Sequence, residues 1–304
     1  MMQNMIIHAD DYGMNPEASG HILECIDRGG LSGVSVLPNS RYLFPCLKLL
    51  NSNDQRIKLN LHFNLAEGSS LTGRSMLTDE AGMFNLSFLK ILILSLTPKR
   101  RKMKALIKAE FKAQLRAYEF AVSKAGLSEA AFPLRLDSHQ HYHMIPLVLE
   151  CIMEVLKEEK REIGFLRIPA EPLSPFIKNP RIFFSCPLIN LVKNLVLNAL
   201  ALLQSRRLAP LKKRTALFFG IMMSGEMDKK RVKTLLPYFK KMADEKKVPI
   251  EVLAHPGGIS MKNVDKLMDP DNALCREFYT SENRRVEKNM ILNLMLYQNP
   301  GIDI

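Results

Sequence analysis

Residues 134–143 read Leu-Arg-Leu-Asp-Ser-His-Gln-His-Tyr-His, and from Pro146 the chain continues as Pro-Leu-Val-Leu-Glu-Cys-Ile-Met-Glu-Val-Leu-Lys-Glu-Glu-Lys. An apolar segment that stops in Asp and His and resumes with helical spacing is a strand, a polar loop and a helix. The unit recurs on both sides. Met5-Ile6-Ile7 ends in His8-Ala9-Asp10-Asp11-Tyr12-Gly13, ahead of an amphipathic stretch from Pro16 to Arg28 that stops at Gly29-Gly30. Strand patterns at 33–39 and 57–65 follow, the second leading into a long insertion and a basic helix over 99–125. Three more, at 165–172, 214–223 and 249–257, complete seven units, with helices expected at 228–247 and within 275–298.

Alternating strands and helices imply a parallel sheet, either a closed barrel or an open doubly wound one. Asp10, Asp11, His62, Asp137, His139, Glu171 and His255 all fall at the C-terminal ends of different strands, where a barrel gathers its active site. The expectation is an α/β fold: a TIM-like, incompletely regular barrel of seven (β/α) units with no evident eighth strand. No glycine-rich phosphate loop is present; the first strand ends in two acids, which would repel a phosphate.

The Asp10-Asp11 pair has no basic neighbour in sequence, so a cation or a shared proton is expected to relieve it. Read as a strand, 137–143 puts Asp137, His139, His141 and His143 on one face. Three of the chain's seven histidines lie within 139–143. Imidazole with carboxylate is the usual ligand set of a hydrolytic Zn, Mn, Co or Ni site. His62, in His62-Phe63-Asn64-Leu65-Ala66-Glu67, and His255, where a strand stops at Pro256, add donors at two further strand ends.

Five scattered cysteines without a Cys-x-x-Cys pair read as reduced thiols, and residues 1–13 leave no room for a secretory leader, so a cytoplasmic protein is expected. The net charge of +12 is unevenly placed: residues 90–124 and 176–214 each carry +8, leaving −4 for the rest. Both stretches join basic residues to apolar runs. In the second, Leu188, Leu191, Val192, Leu195, Val196, Ala199 and Leu202 share a helical face opposite Asn190, Lys193, Asn194 and Asn198. Such a face packs on the barrel, on a second copy of the chain in a homodimer, or at a membrane surface, where 182–214 and 84–104 would place the protein peripherally at the inner face. Nucleic acid is not expected, because the basic stretches carry Leu and Ile instead of stacking aromatics. The domain reading is one barrel over 1–304 with helical insertions at 84–125 and 176–214.

The motifs HADDYG, HFNLAEG, DSHQHYHMIP, LRIPAEP and LAHPG, in this order, resemble those of the YdjC-like carbohydrate deacetylases. The resemblance runs from residue 5 to about 258, and Tyr12, Ala66 and Gln140 depart from the usual pattern. It implies a polysaccharide-deacetylase-like barrel, one divalent metal cation (Mg2+ or Zn2+, with Mn, Co or Ni as further candidates), and hydrolysis of the N-acetyl group of an amino sugar, either an oligosaccharide or a lipid-linked glycan. Carried over motif by motif, Asp11, His62 and His139 would hold the metal, Asp10 would be the general base and His255 the general acid. Asp137, His141, His143, Arg167, Glu171, Asn64 and Glu67 would support the site or the substrate. The competing readings are a binuclear phosphoesterase or amidohydrolase on a similar barrel, and a non-catalytic, membrane-associated metal-binding protein.

Overall fold

The structure, a computed structural model, describes residues 5–50, 57–267 and 273–298. Seven parallel strands form one curled sheet: β1 (Met5–Tyr12), β2 (Gly33–Val36), β3 (Lys58–Phe63), β4 (Leu134–Ser138), β5 (Ile163–Leu166), β6 (Leu217–Phe219) and β7 (Ile250–Ala254). Their order is β5-β4-β3-β2-β1-β7-β6. The longer helices are α1 (Pro16–Asp27), α2 (Arg100–Lys124), α3 (Pro146–Glu158), α4 (Leu188–Leu203), α5 (Lys229–Lys246) and α6 (Asn283–Gln298). Asn15 caps α1 by accepting from the Ala18 amide, and Pro16 opens it, as the sequence pattern requires.

All seven expected strands are present, several of them shorter than the apolar runs suggested. The sheet is a curled, incompletely closed barrel. β5 and β6 do not pair as strands, and a single backbone bond, Leu166 N to Arg214 O at 2.8 Å, spans the gap. A carboxylate supplements it. Glu171, in the loop after β5, accepts from the amides of Gly220 (2.6 Å) and Met222 (2.7 Å) in the loop after β6. α4 emerges from the chain between these two strands, so the gap lies where the second basic stretch leaves the sheet.

The concave face is polar. His8 and Asp10 on β1, Asn60 and His62 on β3, and Arg135 and Asp137 on β4 recur at the two-residue period that puts side chains on one face. Contacts that skip a strand show that this face is the inside of the curl: Ser35 on β2 donates to Asp137 on β4 at 2.5 Å, and Arg167, just past β5, reaches Glu251 on β7 at 2.9 Å. A regular eight-stranded barrel fills this space with branched aliphatics. Here the apolar core lies between the outer face of the sheet and its helices, with Leu59, Leu61, Phe63, Phe111, Leu115 and Val148 among its members.

Part of the first basic stretch is neutralised within the fold. Lys104, Lys108 and Lys112 of α2 pair with Glu150, Glu154, Glu158 and Glu159 at or just beyond α3. Among the described residues no single helix is long and apolar enough to cross a membrane; Leu188–Leu203 with Ser205–Leu211 passes by length and composition, but as a pair bent by 73°.

Candidate active site

β1 ends in Asp10 and Asp11, and the backbone separates what the sequence joins. Asp11 adopts φ 70°, a left-handed conformation that aspartate tolerates better than most residues, and the two carboxylates turn to different partners. Asp10 takes a bidentate ion pair from Arg167, at 2.7 and 2.9 Å. Asp11 lies 3.0 Å from His139 Nδ1 and 3.4 Å from His62 Nε2, and accepts from the Tyr279 hydroxyl at 3.0 Å. The relief expected from one cation is therefore divided between an arginine and two imidazoles.

Asp11, His62 and His139 bring one donor atom each within 4.8 Å of the others. The remaining ring nitrogens are held from behind. His62 Nδ1 meets Asp137 Oδ1 at 2.5 Å, and His139 Nε2 meets Glu67 Oε1 at 2.7 Å. A carboxylate on the far nitrogen fixes the ring and leaves the near nitrogen as a ligand, the usual support of a metal-bound imidazole. The donor set, two imidazoles and one carboxylate, fits a divalent cation with coordination positions to spare. Among the described residues two other donor groups adjoin it: Asp10 with His62 and Asp137, which shares His62, and His8 with Asp137 and Glu251, which shares none of its residues. Arg167 stands among their acids, 2.7 Å from Asp10, 3.1 Å from Asp137 and 2.9 Å from Glu251, so a fixed guanidinium already meets that charge.

The electrostatics follow from burial and neighbours. Burial alone would raise Asp10, but Arg167 and, after it, His62 act against burial, and the carboxyl is held down to about 2. Burial opposes a charge on His62, yet Asp10 and Asp137 push it up to about 9. His139 is likewise held well above the ordinary imidazole range by Glu67 and Asp11, against its burial. His8, buried and close to Arg167, is driven down to about 3 and stays neutral.

The 139–143 segment departs from the expected strand. Pairing ends at Ser138, and Gln140 and His141 take left-handed φ of 49° and 60°, so alternation no longer places the side chains. His139 reaches the Asp11 group. His143 folds back instead, bonding Ser138 Oγ at 2.6 Å and the Arg167 carbonyl at 2.9 Å, and burial lowers it to about 4. His141 packs edge-on against Phe218, its Nδ1 buried without a hydrogen-bond partner. Asn64 organises the loop that carries Glu67, accepting from the amides of Ala66 and Glu67 and donating to the Glu67 carbonyl at 2.8 Å. Glu171 does not touch the Asp and His group; its carboxylate is taken up by the backbone of the loop after β6.

His255 follows β7 and is half-buried. Its amide donates to Glu287 at 2.6 Å, and its Nδ1 lies 3.5 Å from the same carboxylate. Sequence reading missed His8, Ser35, Asn60, Glu251, Tyr279 and Glu287. A readable signal existed for some: the two-residue recurrence of polar side chains in β1 and β3, and a lone acid in the apolar run Ile250-Glu251-Val252-Leu253. Tyr279 and Glu287, on the C-terminal helices, carry none.

Comparison with known proteins places this arrangement. A carbohydrate deacetylase of Danio rerio is 28% identical over 174 residues, 55% of this chain and 50% of that one. The carbohydrate deacetylase of Homo sapiens is 26% identical over 173 residues, 55% and 49% of the two chains. A chitooligosaccharide deacetylase of Yersinia enterocolitica is 23% identical over 194 residues, 60% and 66%. The matches thus span about half the length of the animal relatives. A crystal structure of an Enterococcus faecalis V583 protein named for cellobiose-phosphate cleavage superposes with a TM-score of 0.61 at 16% identity, covering 97% of this chain and 94% of that one, and shares the fold. The sequence profile of the YdjC-like proteins matches residues 4–294, so the chain belongs to the YdjC-like protein family.

Proposed function

We propose that the protein is a metal-dependent carbohydrate N-deacetylase, which hydrolyses the acetamide of an amino sugar and releases acetate, on a polysaccharide-deacetylase-like barrel whose segments 84–125 and 176–214 are helical insertions. The observation that carries the reading is the grouping of Asp11, His62 and His139, each imidazole backed by its own carboxylate, beside an Asp10 that Arg167 fixes in one orientation. The deacetylase names of the relatives support the substrate class.

Asp11, His62 and His139 would hold one divalent cation, and the two nitrogens and one oxygen suit Zn better than Mg. Bound there, such an ion supplies Lewis acidity, polarising an acyl oxygen and acidifying water. Asp10 then receives the proton of the attacking water. Arg167 keeps it ionised and aimed, at the expense of basicity, so proton transfer depends on the water being acidified. His255, at the end of the neighbouring strand β7 and backed by Glu287, delivers a proton to the departing sugar amine, which leaves poorly as an anion. Arg167 among Asp10, Asp137 and Glu251 argues against a second metal, and so against a binuclear hydrolase.

Acetate release from N-acetyl amino sugars by the metal-reconstituted protein tests the reading. Asp10→Asn is expected to lower kcat by about 10²–10⁴-fold with the metal still bound. Wild-type turnover in that variant, or two tightly bound metals per chain, would overturn it.

A further inference from the structure

Helix α4 is built inside out. Its amide row faces the barrel: Asn194 donates to the Glu171 carbonyl (3.1 Å) and carboxylate (3.3 Å), Asn198 to the same carbonyl (3.0 Å), and Asn190 to the Ser224 carbonyl (3.1 Å). The apolar row faces outward. Leu188, Leu195 and Leu202, spaced seven apart, are 75%, 52% and 76% exposed, and Ile189, Val192 and Leu203 flank them in the open. A surface helix ordinarily turns its apolar stripe to the core. An exposed stripe of this extent marks a contact surface.

A second exposed strip adjoins it. Leu89, Ile93 and Leu96 stand out at and just beyond the short helix Phe88–Leu94. Both strips border the start of α3: Phe88 packs its ring on Tyr142, Gln204 donates to the Met144 carbonyl, and Glu150 meets Arg100 at 2.8 Å and Arg207 at 3.6 Å. The charge around them is one-sided. Residues 176–214 contain no acid, and exposed Arg181, Lys193, Arg206, Lys212 and Lys213 pair with no carboxylate among the described residues, in contrast to Lys104, Lys108 and Lys112 of α2. An apolar face ringed by unneutralised cations is complementary to an anionic lipid surface: the leucines enter the boundary between headgroups and acyl chains, and the basic rim meets the phosphates.

We propose that this face docks the protein on an anionic bilayer. The buried edge of α4 rests on the loops after β5 and β6, the end of the sheet at which Asp10 and Asp11 also lie, so docking sets the cleft beside the lipid surface.

The test uses the full chain and co-sedimentation with vesicles of phosphatidylcholine alone or mixed equally with phosphatidylglycerol. Binding is expected on the mixed vesicles and to be more than about 100-fold weaker on phosphatidylcholine alone, where the contribution of every cation is lost. Leu188→Asp with Leu195→Asp and Leu202→Asp is expected to abolish it, and Arg206→Ala, Lys212→Ala and Lys213→Ala to weaken it by about five-fold per charge removed. All substituted positions are exposed, so an unchanged melting temperature shows the fold intact, and the readout is independent of acetate release. No binding to mixed vesicles, or binding indifferent to both variants, overturns the proposal. So does a wild-type dimer in sedimentation velocity that the leucine variant dissociates while vesicles bind neither form; the face would then be a surface for a second copy.

Discussion

Asp10 and Asp11 are adjacent and differently held because each meets a different cation: a permanent guanidinium for one, titratable imidazoles for the other. That contrast fixes the pH behaviour. His62, raised to about 9, gives the metal-free chain stability that is fully present below about 6.5 and lost as pH rises through 9. A metal ion bound there would have to displace the same proton, so its apparent affinity is expected to rise over that window. Titration calorimetry in buffers of different ionisation enthalpy should show proton release on metal binding that shrinks toward pH 9. Removing a supporting carboxylate is predicted to act on affinity more than on fold: Asp137→Asn should weaken metal binding by about 10–100-fold, read by competition with a chromophoric chelator. Much of this was legible in the sequence, because Asp11, His62 and His139 each sit where an apolar run stops. Glu251 and His8 were not singled out, since one polar residue within an apolar strand looks like an exception until its neighbours across the curl are known. Buried Glu251 touches the Arg167 guanidinium, which Asp10 and Asp137 also hold, so Glu251→Ala should cost about 1–3 kcal/mol in chemical denaturation, the result of losing one partner and not of stranding a buried charge.

At the scale of elements, strands and long helices were readable from periodicity, whereas the 139–143 turn was not, because alternation holds only as far as the ladder does. The charge of α2 also changed meaning. Counted along the chain its lysines were an excess of positive charge, and the glutamates that meet three of them lie about 46–50 positions later, at α3. These pairs are largely exposed and worth little singly, so Glu154→Ala should cost no more than about 1 kcal/mol, and less at high salt, by thermal unfolding. Glu171 is a different case. Gln in its place would turn an NH2 group toward a backbone amide, and Glu171→Gln should destabilise by about 1–3 kcal/mol through that lost acceptor.

For the whole molecule, residue patterns announced a ring of seven strands, and they could not announce that its inside is polar or that one joint lacks a ladder. Both are properties of the curl. Central strands paired on both sides should be the last to exchange their amide hydrogens, with β5 and β6 exchanging sooner than β1, β2 and β3 in native-state hydrogen exchange. The open joint has a mechanical consequence. A closed ladder spreads a local push around the ring, whereas a split ring bends at its joint. Here α4 grips that joint through Asn194 and Asn198 on Glu171, four residues from the arginine that aims Asp10. Displacement of the helix would act as a lever, opening or tightening the clasp and tilting Asp10 against its neighbours in the cleft.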